Sequence, residues 1–197
     1  MNTSKLGFKL IIGLGNPDKK YMNTYHNVGF LAIDYFAKNP PSAKSQTSNY
    51  KLLKSDTYMN VSGFFAQRMM KKHGAKPEQL LIIHDDSDIL LGEYKLSFSR
   101  GAAGHHGVES VIKSLKTNSF WRLRIGIRPP NPADHADKSG PRRNFNLSAM
   151  STKFREVSDK SQRSPRPKAE EFVLKKITAA DKKILEQVFQ KAATEFE

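Results

Sequence analysis

The sequence predicts an α/β fold, and three observations carry that reading. Two short apolar runs, Leu10 to Ile12 and Leu80 to Ile83, have the length and unbroken character of strands buried on both faces. Each gives way at once to polar or turn-forming residues, a glycine turn from Gly13 to Pro17 in the first case and His84, Asp85 and Asp86 in the second. Between them, apolar residues fall at helical spacings, so Lys9 to Phe30 reads as strand, loop and the start of a helix. Open sheets of this kind bind ligands beyond the carboxyl ends of their strands, which places Asn16, His26 and Asp85 at one edge. A chain of 197 residues fits a single domain.

The elements follow in order. Val28 to Lys38 spaces Phe30, Leu31, Ile33, Tyr35 and Phe36 for a first helix, with Thr24 or Asn27 as its N-cap. Pro40, Pro41 and several polar residues make Asn39 to Asn49 a loop, and Tyr50 to Lys54 is a short strand. The stretch DTYMNVSG leads into an amphipathic helix from Phe64 to Lys72, capped by Ser62. Leu80 to Ile83 is a central parallel strand and Glu93 to Phe98 an alternating one. The loop SRGAAGHHG then opens a helix from about Val108 to Leu115. Trp121 to Ile127 alternates apolar with basic residues, so one face packs while Arg122 and Arg124 point the other way.

From Asn131 to Lys168 there are nine Lys or Arg against four acids and few apolar residues, which marks a basic Pro/Ser-rich insertion rather than a second domain. Glu171 to Leu174 resumes a short apolar element. In the last helix Thr178 and Asp181 resemble a capping box, and Leu185, Val188, Phe189, Ala192 and Phe196 form one stripe.

Composition bounds the function. The excess of 33 basic over 19 acidic residues, a formal charge of +14, points to a polyanion such as nucleic acid or an anionic membrane. The absence of cysteine excludes disulfides, thiolate zinc sites and a cysteine nucleophile, and favours an intracellular protein. No run approaches the roughly 18 apolar residues of a membrane span. The first eight residues are too short for a signal or transit peptide.

Several chemistries fail on spacing. GLGNPD lacks the third glycine of the dinucleotide fingerprint and sets Asp18 where it would repel a pyrophosphate. There is no Walker loop and no G-x-S-x-G nucleophile turn. A metal-assisted hydrolase built on His84, Asp86 and Asp88 has suitable ligand types but no organising spacing. A water-based mechanism fits better: His26 accepts a proton, Asp85 fixes its tautomer, and the amides of Asn16 and Asn60 position substrate and meet oxyanion charge.

These residues strongly resemble the bacterial-type peptidyl-tRNA hydrolases. GLGNP with Tyr21, Thr24 and HNVGF is similar to the family's opening signature, YMNVSG to its second, HDDSDILLG to its third, and the loop through Gly104, His105 and Gly107 to its fourth. RLRIGI is similar to the strand that follows, and the likeness resumes near Phe172. The resemblance implies a monomer with a mixed twisted sheet flanked by helices in a three-layer sandwich. It implies hydrolysis of the ester between a peptide and the 3′ ribose of tRNA, with no metal or organic cofactor. By the same resemblance His26 is the base and Asp85 its holder, while Asn16, Tyr21, Met59, Asn60 and His106 contact substrate. Lys95, Arg100, Arg122, Arg124, Arg142 and Arg143 are implied contacts of the tRNA acceptor stem and 3′ end.

The chain departs from the family at His106, where asparagine is usual, at Tyr25, where arginine is frequent, and in the length of the 131–168 insertion. A non-catalytic RNA-binding relative is the alternative reading. Cytoplasm and mitochondrial matrix are the expected locations.

Overall fold

The computed structural model describes residues 7–40, 50–130 and 172–196. The insertion at 131–168, with Arg142 and Arg143, lies outside them, as do most of the 39–49 loop and the side chain of Phe196. Five strands, β1 (Leu10–Gly13), β2 (Lys51–Lys54), β3 (Leu80–Leu90), β4 (Tyr94–Phe98) and β5 (Trp121–Arg128), form one sheet in the order β2-β1-β3-β5-β4. All neighbours are parallel except β4, which runs antiparallel to β5. The sheet is therefore mixed, as expected.

Helices cover both faces, because the inner strands are apolar on both. On one side α1 (Val28–Lys38) and α4 (Ala179–Ala193) bury Val28, Ile33, Phe36, Leu185, Val188 and Phe189 against Ile11, Ile83 and Ile125. On the other, α2 (Ser62–His73) and α3 (His106–Leu115) bury Phe65, Met70, Val108 and Val111 against Leu10, Ile12 and Ile82. Every residue of β1 and the whole of β3 from Leu80 to Asp86 is buried, so the hydrophobic effect holds the middle of the sheet in place.

Three local expectations are corrected. The strand that begins at Leu80 does not stop at Ile83 but runs to Leu90, pairing with β5 through Asp86. Its acids continue the strand because each finds partners inside the protein. Ser62 is the first residue of α2 rather than its cap; its hydroxyl turns back to the Tyr58 carbonyl. Asn27 holds the N-cap position of α1, but its carboxamide makes no cap bond. It accepts from the Asn16 N–H at 2.8 Å and donates to the Asn16 carbonyl at 2.9 Å, clasping the loop after β1 to the head of α1. The Thr178 cap is present, its hydroxyl accepting from the Asp181 N–H at 3.1 Å.

Two close approaches set the layers. A Cβ on Gly29 would lie 2.5 Å from the carbonyl oxygens of Ile83 and Leu14, so only glycine lets the first turn of α1 sit on the ends of β1 and β3. That seat brings the residues just before α1 over the carboxyl half of β3. A Cβ on Gly63 would lie 2.1 Å from the Ser110 carbonyl, which fixes the approach of α2 to α3.

Candidate active site

His26 sits in a 3-10 turn, Tyr25–Asn27, immediately before α1. Its backbone N–H donates to the Val173 carbonyl at 2.8 Å, so the returning C-terminal segment holds the turn. Its ring Nδ1 lies 3.0 Å from each oxygen of Asp85, which projects from β3 and is 2 % exposed. The pairing expected from the sequence is therefore present.

A third residue completes the arrangement. His105, the N-cap of α3, accepts the Gly107 and Val108 N–H groups at its Nδ1, at 3.1 and 3.3 Å. A ring nitrogen that accepts carries no proton, so the neutral imidazole has its hydrogen on Nε2. That nitrogen lies 2.9 Å from Asp85 Oδ1 and donates to it. One buried carboxylate thus receives hydrogen bonds from two imidazoles. In the sequence His105 stands out only as part of a motif; a polar residue just before a helical pattern is the signal for its capping role.

The electrostatics follow from that sharing. Burial alone would raise the Asp85 carboxyl, but the neighbouring His105 and His26 outweigh it and hold the group well below the usual carboxylate range. Burial pulls His26 down, and the charge and hydrogen bond of Asp85 more than reverse this, leaving its pKa raised above the ordinary 6.5. His84, 1 % exposed, is pushed well below 6.5 by burial and then by His105 and Arg122. It stays neutral, with Nδ1 2.6 Å from the Asp85 carbonyl and its ring edge-on to His105.

The His26 ring faces a cavity of about 330 Å³ lined also by Asp86, Ser87, Gly104, His106 and Val173. The Nδ1 contact with Asp85 leaves Nε2 for that cavity. His26, Asp85 and His105 stand close enough to hold a metal ion. The donor set argues otherwise. A metal would need the lone pair of His105 Nε2, yet Nδ1 already receives two N–H groups and has no room for the proton that would move there. The trio is a hydrogen-bond chain. His84, Asp86 and Asp88 do not form a metal cluster among the described residues: Asp86 is ion-paired with Arg124 at 2.7 Å and accepts the Asp88 N–H.

The remaining predicted residues divide. Asn16, 8 % exposed, lends its side-chain oxygen to the Met59 N–H at 2.9 Å and keeps its amide nitrogen for donation. Met59 is buried in the core, so its part in the site is that backbone N–H and not its side chain. Asn60 is exposed and lines a second cavity, of about 340 Å³, with Phe64, His106 and Lys113; among the described residues it makes no hydrogen bond to His26. His106, its side chain 72 % exposed, lines both cavities. Tyr21 lies outside both, in the 3-10 turn Lys19–Tyr21 with the Lys20 ammonium over its ring. Lys95 and Arg100 are exposed. Arg122 is not: it is 2 % exposed and donates to the Gly101 carbonyl at 2.9 Å, so it holds the loop before α3 instead of facing a polyanion. Arg124 is partly committed to Asp86.

A three-layer α/β protein with a carboxylate-oriented imidazole facing a cleft is equipped for general-base hydrolysis. The family model described as peptidyl-tRNA hydrolase matches residues 10–164, and the chain belongs to that family. It is 36% identical over 183 residues to the peptidyl-tRNA hydrolase of Sulfurihydrogenibium sp., covering 87% of this chain and 85% of that one. It is 38% identical over 146 residues to that of Aquifex aeolicus, covering 68% and 76%. The crystal structure of peptidyl-tRNA hydrolase from Acinetobacter baumannii matches with a TM-score of 0.69 at 23% identity over 97% of this chain and 87% of that one, a likeness of fold.

Proposed function

We propose that this peptidyl-tRNA hydrolase works through His26 as general base on water, with the ester between peptide and tRNA 3′ ribose seated in the cavity the imidazole faces. The carrying observation is that His26 Nδ1 is bound to both oxygens of a buried, ionised carboxylate, which commits the proton to Nδ1 and makes Nε2 the acceptor. Water gives its proton to Nε2 as its oxygen bonds to the ester carbonyl carbon. The resulting oxyanion is met by the side-chain amide nitrogens of Asn16 and of Asn60, the latter reaching across from the neighbouring cavity that shares His106. Collapse expels the ribose 3′ oxygen, which takes the proton back from Nε2; the peptide leaves as a carboxylic acid and the tRNA with a free hydroxyl.

Asp85 orients the base and stabilises its cationic form, and His105 holds Asp85. The acceptor stem lies along the exposed Lys95 and Arg100, and the enzyme acts as a monomer where translation runs, in cytoplasm or mitochondrial matrix. The test is His26→Ala with N-acetyl-aminoacyl-tRNA: turnover should fall by about 10²- to 10⁴-fold, the usual worth of a general base, with tRNA binding kept. Undiminished turnover would overturn the assignment. Turnover should also survive exhaustive chelation, and its loss would return a metal to the mechanism.

A further inference from the structure

We propose that Lys19, Lys20, Lys175 and Lys176 form a second RNA-phosphate contact surface on the flank of the catalytic cleft formed by the His26 turn and the Val173 segment. The inference rests on the peptidyl-tRNA hydrolase reading and extends it to residues that the tRNA expectation did not include. These lysines come from opposite ends of the chain and are stitched together by backbone. Thr24 pairs with Lys176 in an antiparallel bridge, the Tyr25 N–H donates to the Lys175 carbonyl, and the Ile177 N–H to the Asn23 carbonyl. Lys176 Nζ donates to the Lys20 and Met22 carbonyls at 2.7 and 2.8 Å.

All four residues are exposed, and none meets a carboxylate among the described residues. The nearby acids are already engaged, Asp18 by the Tyr58 hydroxyl and Asp181 by the Tyr25 hydroxyl. An ammonium has three hydrogens, so two carbonyls leave Lys176 one to give.

The position fits the substrate. The bridged segment reaches the cavity directly, since His26 and Val173 both line it and are joined by a backbone hydrogen bond. An RNA strand delivering its 3′ end to His26 must pass a rim of that cavity, and there a backbone-fastened segment presents four exposed cations to its phosphates, the Lys176 ammonium held in place by two carbonyls. The cross-link that pins the His26 turn also sets lysines 156 positions apart in sequence on one surface. An RNA backbone has the matching chemistry: repeated negative charge with no demand on sequence.

The test measures tRNA affinity as a function of salt for wild type, for the triple variant Lys19→Ala, Lys20→Ala, Lys175→Ala, and for the charge-matched triple Lys71→Ala, Lys72→Ala, Lys76→Ala. The control lysines are exposed near the opposite end of the sheet, where α2 leads into the start of β3. Lys176 is left in place so that its bonds to the turn persist. The slope of log affinity against log salt should become shallower by about 0.7 to 0.9 for each phosphate that is no longer neutralised, and affinity should drop on the order of tenfold, in the first triple only. Equal changes in both triples would mean bulk charge alone and overturn the surface, as would unchanged slopes in an active enzyme. Wild type unable to hydrolyse N-acetyl-aminoacyl-tRNA would overturn the underlying reading and the surface with it.

Discussion

In the proposed mechanism Asp85 does two jobs, and they separate experimentally. Because its charge raises His26 above 6.5, the acceptor form of the base accumulates only as pH rises past that higher value, so kcat/KM should fall on the acid side from above 6.5. Asp85→Asn removes the raising effect and leaves the lowering effect of burial. Its acid limb should therefore move below that of wild type, while the plateau falls by roughly 10²-fold or more because the tautomer is no longer secured. An unmoved limb in a pH–rate profile would show that His26 is not the titrating base. For His105, asparagine keeps a good N-cap but is too short to span from the helix end to Asp85. His105→Asn should lower kcat and, by taking a hydrogen bond from the buried Asp85 carboxylate, lower Tm as well, whereas a purely capping role would leave both unchanged.

At the level of elements, layer order and most boundaries were legible because apolar runs and helical spacings report burial directly. The parts that were not share one cause: polar residues with internal partners look, in a sequence, like polar residues in water. HDDSD read as a strand end because acids seldom continue a buried strand, yet Asp85 is held by two imidazoles and Asp86 by Arg124. Arg122 reads as an outward cation because alternation assigns it the polar face, but it is buried and bonded to the loop before α3. His26 with Asp85 was found, whereas His105 was not, since its role depends on a helix N-terminus meeting a strand distant in sequence. The Gly63 contact is equally invisible in sequence and makes a direct prediction. Gly63→Ala puts a methyl into the Ser110 backbone and should cost about 1 to 3 kcal/mol in urea unfolding, as overpacked sites do.

For the molecule as a whole, stability and activity pull against each other across pH. The raised pKa of His26 contributes stability fully below about 6.5, its unfolded value, and loses it as pH rises through the higher folded value. The depressed Asp85 contributes above about 3.9, its unfolded value, and loses it only as pH falls through its lower folded one. The pair therefore contributes most between roughly pH 4 and 6.5, where the base is still protonated and turnover low. The Tm difference between wild type and Asp85→Asn should shrink as pH rises past the His26 value; a constant difference would refute the coupling.

The fastening of the His26 turn by the Val173 and Lys175 carbonyls, and of Tyr25 by Asp181, has a consequence for how the enzyme comes into being. A polypeptide halted at residue 130 already owns all five strands and His26, Asp85 and His105, yet lacks the residues that pin the turn bearing the proposed base. During vectorial synthesis, competence should therefore arrive only when the C-terminal helix clears the ribosome, and a nascent chain of that length should assemble a sheet without acquiring turnover.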